Sequence, residues 1–197
     1  MIRVKSILTA FALAVSAAFA FTPAATAQGT KVVVIDRVQI FGQSQAGQDI
    51  RTKIQAIETT MQGELKPLAD GLTADGASLQ TKSEGKTQEA VRADAALMSE
   101  IEAYSRKAND FERKRQIAAQ ELALTERKAL VDFNNALIPV LREVVAENSA
   151  NVILDKSQVV FVDDATDVTQ SAINKLNAST PTVAVVRQSV PTQAAQQ

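Results

Sequence analysis

The dominant feature of this chain is a stretch of about a hundred residues, from Ala46 to Asn148, whose apolar side chains recur at steps of three and four. It shows no strand-like alternation. Its first half repeats every seven residues, at Ile50, Ile54, Ile57, Met61, Leu65, Leu68, Leu72 and Leu79. Such spacing gives one narrow apolar stripe, which is typical of a coiled-coil seam. The stretch therefore predicts a long helical hairpin, here called the arm, spanning residues 46–138.

The returning half of the arm has a weaker seam, because several of its positions are small or polar. They are Val91, Leu97 or Met98, Ile101, Tyr104, Ala108, Phe111, Arg115, Ala118, Leu122, Thr125 and Ala129. We therefore expect a slender hairpin that opens locally at low free energy. About 40 residues of outgoing helix, at roughly 1.5 Å each, would project on the order of 60 Å.

Two kinds of breaker subdivide the arm. The reversal is predicted near 83–87, where Gly85 sits among polar residues, with Gly76 as the alternative tip. Pro67 and Pro139 are hinge candidates because proline removes a helical hydrogen bond and clashes with the preceding turn. Pro139 either bends the returning helix or begins a new one.

Short β-branched runs lie on both sides of the arm. Lys31–Asp36 is apolar on both faces and predicts a buried strand. Val152–Leu154 and Val159–Val162 flank four polar residues, a pattern that predicts a β-hairpin. The expected fold is α+β, with the arm projecting from a small β-containing oligomerisation body made of 28–45 and 139–177. Candidate oligomerisation residues are Val32, Val34, Ile153, Val160 and Phe161.

The two ends of the chain are expected to lie outside this body. Arg3 and Lys5 precede an apolar run, and Ala25-Thr26-Ala27 resembles a cleavage site, so 1–27 is predicted to be a signal peptide. Residues 178–197 are rich in Ser, Thr and Gln, with two prolines, and are predicted to form a largely disordered tail.

The amino-acid composition excludes several classes of function. The chain has no His and no Cys, which removes the commonest general base, thiol chemistry and the commonest metal ligands. Asp163–Asp167 lacks the central glycine and distal glutamate of a calcium loop. With 21 basic and 22 acidic residues, the chain has no overall basic field for nucleic acid. We therefore expect a non-enzymatic protein without catalytic residues, cofactor, metal or nucleic-acid partner.

Several segments resemble the Skp/OmpH family of periplasmic chaperones over about residues 31 to 177. The opening strand Val32–Gln39 and Glu64–Pro67 in the outgoing arm are similar to family segments. The closing pattern is the most specific resemblance, and it runs through Val144–Asn148, Val152–Asp155, Val159–Phe161 and Asp167–Asn177. Two features depart from the family: Asn148-Ser149 stands where members often have a glycine, and this chain is acidic whereas well-known members are strongly basic.

The resemblance implies a homotrimer in the periplasm with a jellyfish-like architecture. Strands would build a common body, and three arms would enclose unfolded outer-membrane barrel proteins without ATP. Contact with outer-membrane assembly machinery, and with lipopolysaccharide or a membrane surface, stays open. The competing hypothesis is a structural or adaptor hairpin of an envelope export assembly.

Candidate client contacts on the arm are Leu79, Leu97, Ile101, Tyr104 and Phe111, with packing of one arm helix on the other as the alternative role for each. Ala103–Lys128 carries seven basic residues against four acidic ones. Within it, Arg113-Lys114-Arg115 is interpreted as a solvated face paired with Asp110 and Glu112.

Overall fold

The computed structural model describes residues 29–191. The predicted signal peptide, 1–27, and the last six residues of the predicted tail lie outside this range. In chain order the elements are β1 (Val32–Ile35), α1 (Arg37–Gln43), α2 (Gln45–Ser83), α3 (Gln88–Ala93), α4 (Ala95–Glu147), β2 (Val152–Asp155) and α5 (Thr169–Ser179). Helices dominate, and β1 and β2 form a two-stranded sheet, so the α+β fold with a long helical hairpin is confirmed.

The two strands pair in parallel, with Val33 opposite Ile153. A parallel pair needs a crossover connection, because the second strand must begin at the end where the first began. In this protein the crossover consists of the whole arm together with α1. Both ends of the hairpin are therefore anchored at the sheet, and the arm projects from the body as a long excursion between two hydrogen-bonded strands.

The predicted β-hairpin between 152–154 and 159–162 is wrong. After β2 the chain enters a 3₁₀ turn, Lys156–Gln158, and Val159–Val162 forms no strand. The Asp155 carboxylate accepts hydrogen bonds from the backbone N–H of Ser157 at 2.9 Å and from its hydroxyl at 2.7 Å. Such an Asx-type turn competes with a hairpin loop. Val160 and Phe161 consequently have no neighbouring strand within the described chain and are largely exposed.

The body is stabilised by a core where the sheet, α5 and the base of the arm meet. Its fully buried aliphatic residues include Val33, Ile40, Val144, Ala172 and Leu176. Phe41 and Phe133 pack edge to face with ring centroids 5.0 Å apart, joining α1 to α4. Asp36 caps α1 by accepting from Gln39 N–H at 2.8 Å.

The arm consists of two long helices that run through their prolines. Pro67 lies inside α2 and Pro139 inside α4, so no new helix begins at Pro139. The chain turns after Ser83, and Gly85 adopts a φ of +74°, which glycine tolerates best. Gly76 lies within α2. A second break, missed in the sequence, separates α3 from α4 at Asp94, whose carboxylate accepts from Leu97 N–H at 3.0 Å.

The residues after α5 differ from the expectation of a disordered tail. From Thr180 to Pro191 the chain forms neither helix nor strand and lies against the arm, with Val183 only 7% exposed. Side chains of both long helices hydrogen-bond to it. The polar composition of this segment suggested disorder. The sequence did not reveal its hydrogen-bond partners because they are more than sixty positions away in the chain.

Candidate functional site

The distal arm, residues 66–120, has very little buried core. All of these residues are described, and Leu97 is the one with a buried side chain, at 3% exposure. The other seam residues of this part, such as Leu72, Leu79, Ile101 and Phe111, are half-buried. A two-helix layer cannot hide its apolar stripe completely, because each side chain is covered from one side only. The distal arm therefore presents apolar side chains that remain partly accessible.

Ion pairs between the two helices hold the distal arm together. The Lys82 ammonium lies 2.7 Å from a Glu100 carboxylate oxygen, and the Lys107 ammonium lies 2.7 Å from Asp75. All four side chains are more than a third exposed. Exposed pairs of this kind contribute roughly 0.2–1 kcal/mol each. The hairpin is thus closed by weak contacts that can be broken and re-formed.

The tip has its own polar organisation. The Lys86 ammonium donates to the Asp94 carboxylate at 2.8 Å, across the turn and α3. This hydrogen bond, together with the one from Leu97 N–H, lowers the pKa of Asp94 below its usual value. Asp94 therefore links the turn to the first residues of α4 while it is ionised.

Two open grooves lie between the helices of the distal arm. The first encloses about 300 Å³ and is lined by Pro67, Leu68, Gly71, Leu72, Asp75, Lys107, Asp110, Phe111 and Lys114. The second encloses about 230 Å³ and is lined by Asp75, Ser78, Leu79, Lys82, Glu100, Ala103, Tyr104 and Lys107. Both grooves are lined by apolar and charged side chains together, which suits weak binding of an extended, partly apolar chain.

The predicted client contacts fall into three environments. Leu79 and Tyr104 line the second groove, and Phe111 lines the first beside the hinge candidate Pro67. Ile101 is half-buried on the same helix. Leu97 is buried, so in the closed hairpin it packs between the helices and offers no surface.

The predicted oligomerisation residues are also split by exposure. Val34 is buried within the protomer at 5% exposure, and Val32 and Ile153 are half-buried. Val160 and Phe161, in contrast, are 107% and 82% exposed. Val152 and Leu154 on β2, which are not among the predicted residues, are also exposed, at 38% each. The alternation of β2 was the available signal, because its even positions face away from the core.

The basic segment on α4 is partly neutralised locally. Arg113 pairs with Asp110 at 3.0 Å, and Arg115 pairs with Glu112 at 2.8 Å; in each pair the two exposed side chains are three residues apart. Lys114 lines the first groove. The pairing with Asp110 and Glu112 that the sequence suggested is therefore present.

Comparison with known proteins identifies the fold family. The sequence profile of the outer membrane protein (OmpH-like) family matches residues 31–176. The chain belongs to the OmpH-like family. A crystal structure described as an OmpH-like outer membrane chaperone from Caulobacter crescentus superposes with a TM-score of 0.71 at 24% identity, covering 82% of this chain and 92% of that one. This likeness shows a shared fold. A comparison with curated proteins gave no significant match.

Membership in the OmpH-like family supports a chaperone role and suggests a periplasmic location. OmpH-like proteins are not an enzyme family. Within residues 29–191, no three or more acidic side chains are grouped so that they could hold a metal ion. None of the helices in that range is both long and apolar enough to cross a membrane.

Proposed function

We propose that this OmpH-like protein is an ATP-independent periplasmic holdase that binds unfolded outer-membrane β-barrel proteins and prevents their aggregation in transit. The observation that carries the proposal is the distal arm, in which apolar seam residues stay half-exposed beside two open grooves. Because a two-helix arm covers each seam residue from one side only, these apolar side chains remain available to a client.

The chemistry of the client matches this surface. An unfolded barrel strand alternates apolar and polar side chains, so its apolar groups can contact lining residues such as Leu79 and Phe111 while its polar groups meet the charged lining residues. Each contact is weak, which allows release without nucleotide. Several arms acting on one client raise the effective concentration of binding surface, so that many weak contacts hold it together.

A homotrimeric body would supply those several arms. Val152, Leu154, Val160 and Phe161 are exposed apolar residues within ten positions of one another in the chain. β2 borders β1 alone in the described sheet, so one of its edges is unpaired. Exposed apolar side chains beside an open edge are typical of a surface covered by another chain. We propose that neighbouring copies cover it.

The test is suppression of aggregation. A urea-unfolded outer-membrane barrel protein is diluted into buffer with the purified chain from Gln28 onward, and light scattering is followed. We expect suppression at one chaperone trimer per client. In the matched control, residues 67–114, which include every residue that lines the two grooves, are replaced by a short turn that spares the body. This control should keep the oligomeric mass and lose the suppression.

Two results would contradict the proposal. If the full-length chain leaves the scattering unchanged, the arm does not hold clients and the adaptor hypothesis is favoured. If the shortened variant suppresses aggregation as well as the full-length chain, the activity does not reside in the distal arm.

A further inference from the structure

The segment that follows α5 is bound to both helices of the arm. We call Thr180–Pro191 the strap. At its first contact, the N–H of Val183 donates to the Asp49 carboxylate at 3.0 Å, and the carbonyl of Val183 accepts from the Lys53 ammonium at 2.8 Å. Asp49 and Lys53 also pair with each other at 2.6 Å on α2. One turn of α2 therefore binds both backbone polar groups of a buried valine.

The second contact of the strap joins α2 to α4. The Arg187 guanidinium donates through Nη1 to both carboxylate oxygens of Glu64 on α2, at 3.0 and 2.9 Å. Through Nε it donates to the Glu121 carboxylate on α4 at 2.9 Å. The Glu121 side chain is only 12% exposed. Arg187 is therefore a charged bridge between the outgoing and returning helices.

A third contact fastens the strap to the seam of α4. The N–H of Gln188 donates to Thr125 Oγ1 at 2.9 Å, and the same hydroxyl donates to the Glu121 carbonyl at 2.6 Å. Thr125 and Ala129 are small seam residues, and both are only 1% exposed. The strap residues Ala184, Val185 and Val186 line a groove together with them. Small seam residues here leave room for a third chain segment.

We propose that the strap is a clasp that locks together the two helices of the arm base, residues 45–65 and 121–147. It joins the two helices where the hairpin emerges, whereas the distal arm beyond Glu64 and Glu121 has no such third layer in the described residues. The arm then has a stiff base and a pliable distal part. Detachment of the strap lets the helices separate at the base.

The charges of the clasp favour reversible locking. The hydrogen bonds that Arg187 donates to Glu64 and, to a smaller extent, to Glu121 raise the pKa of Arg187. The guanidinium therefore stays charged at every pH at which the protein is folded. The Arg187 side chain is 35% exposed and therefore partly screened by salt. Raising the ionic strength should weaken the bridge and leave the buried Val183 contact in place.

The experiment is hydrogen exchange of the full chain, read by mass spectrometry on peptides from the arm base and the distal arm. Arg187→Gln removes the bridge, and deletion of residues 180–197 removes the whole strap. Arg113→Gln is the matched control, because it makes the same charge change and breaks an ion pair within one helix. Thermal unfolding followed by circular dichroism checks that each variant folds.

We expect exchange in the arm base to accelerate about five- to tenfold in Arg187→Gln, and at least as much in the truncated chain, because charge-assisted hydrogen bonds are lost. Exchange in the distal arm should not change, and Arg113→Gln should leave the arm base unaffected. Equal exchange in the arm base of Arg187→Gln and the wild type would overturn the proposal. Uniform acceleration over base, distal arm and body would also overturn it, because the strap would then contribute only to global stability.

A charge exchange gives an independent check. Arg187→Glu should open the arm base, and adding Glu64→Arg should restore part of the protection by re-forming the pair with reversed charges. If the double variant exchanges as fast as Arg187→Glu alone, the bridge to α2 does not close the base.

Discussion

The glycines of α2 show how single residues set the stiffness of the arm. A Cβ added at Gly63 or Gly71 meets no atom within 4 Å, so nothing in the folded chain requires glycine there. A Cβ at Gly47 would lie 1.9 Å from the backbone oxygen of Phe41. Gly47 is therefore needed for the close approach of α1 to α2, whereas Gly63 and Gly71 loosen the helix.

The first prediction follows from this contrast. Gly71→Ala should stabilise the protein by about 0.5–1 kcal/mol, because alanine loses less backbone entropy in a helix. Gly47→Ala should destabilise it by about 1–3 kcal/mol through the backbone clash. Urea unfolding of both variants measures the changes. Effects of the same sign would contradict the packing described for Gly47.

The second prediction concerns the grooves. Tyr104→Ser combined with Phe111→Ser removes the aromatic ring of each groove and should weaken client binding roughly three- to tenfold. The oligomeric mass should stay unchanged. Fluorescence titration with a labelled unfolded barrel protein measures the affinity. Ile117→Ser, a half-exposed position on the same helix that lines neither groove, is the control and should bind normally.

At the scale of elements, the two long helices differ in what supports them. Near the body, α4 packs into the core through Phe133, Leu137 and Val140. Beyond the strap it meets α2 and, near the tip, α3, and its contacts with α2 there are half-buried side chains and exposed ion pairs. Pro67 removes the backbone donor to the Gly63 carbonyl, and Gly63 and Gly71 flank that turn. Flexibility of the arm should therefore concentrate between the strap and the tip.

A third prediction concerns acid and the contact between α2 and the strap. The hydrogen bond from Lys53, opposed by burial and aided by the N–H of Val183, lowers the pKa of Asp49 from its usual 3.8. The stabilisation of the folded state by the ionised Asp49 carboxylate is therefore complete above about pH 4, and it is lost as pH falls through the lowered pKa of Asp49. Protection of the arm base, taken relative to the intrinsic exchange rate at each pH, should therefore decrease in that acidic window.

Asp49→Asn tests this assignment, because it removes the ionisation and keeps the shape of the side chain. At neutral pH the variant should exchange faster at the arm base than the wild type. Its additional loss of protection in acid should be smaller than that of the wild type. An unchanged acid response would show that Asp49 does not carry the transition.

At the scale of the whole molecule, the exposed apolar residues after β2 predict assembly. Val160→Ser with Phe161→Ser should shift the sedimenting species from trimer toward monomer at micromolar concentration, because apolar area would no longer be covered between copies. Ile117→Ser again serves as the control. A wild-type chain that sediments as a monomer would contradict the proposed body. Loss of the trimer should also reduce client holding, since multivalency is lost.

Local sequence patterns were sufficient to predict the helices, the reversal and the strands, because these elements depend on interactions between residues close together in the chain. The seven-residue repeat of apolar side chains predicts α2 and α4, the glycine among polar residues predicts a reversal where α2 ends, and the β-branched runs predict strands at Val32 and Val152. The order strand, arm, strand also carried the resemblance that the family match supports. Periodicity and turn chemistry act over a few residues, so they can be read directly from the chain.

Only the tertiary structure decided which distant segments meet. Val33 pairs with Ile153 in parallel, which replaced the predicted local hairpin, and Arg187 joins Glu64 to Glu121, which fastened a segment predicted to be disordered. The tertiary packing also buried the side chains of Val34 and Leu97 and left that of Phe161 exposed to solvent. Such contacts depend on competition among partners more than sixty positions apart, which no local pattern encodes.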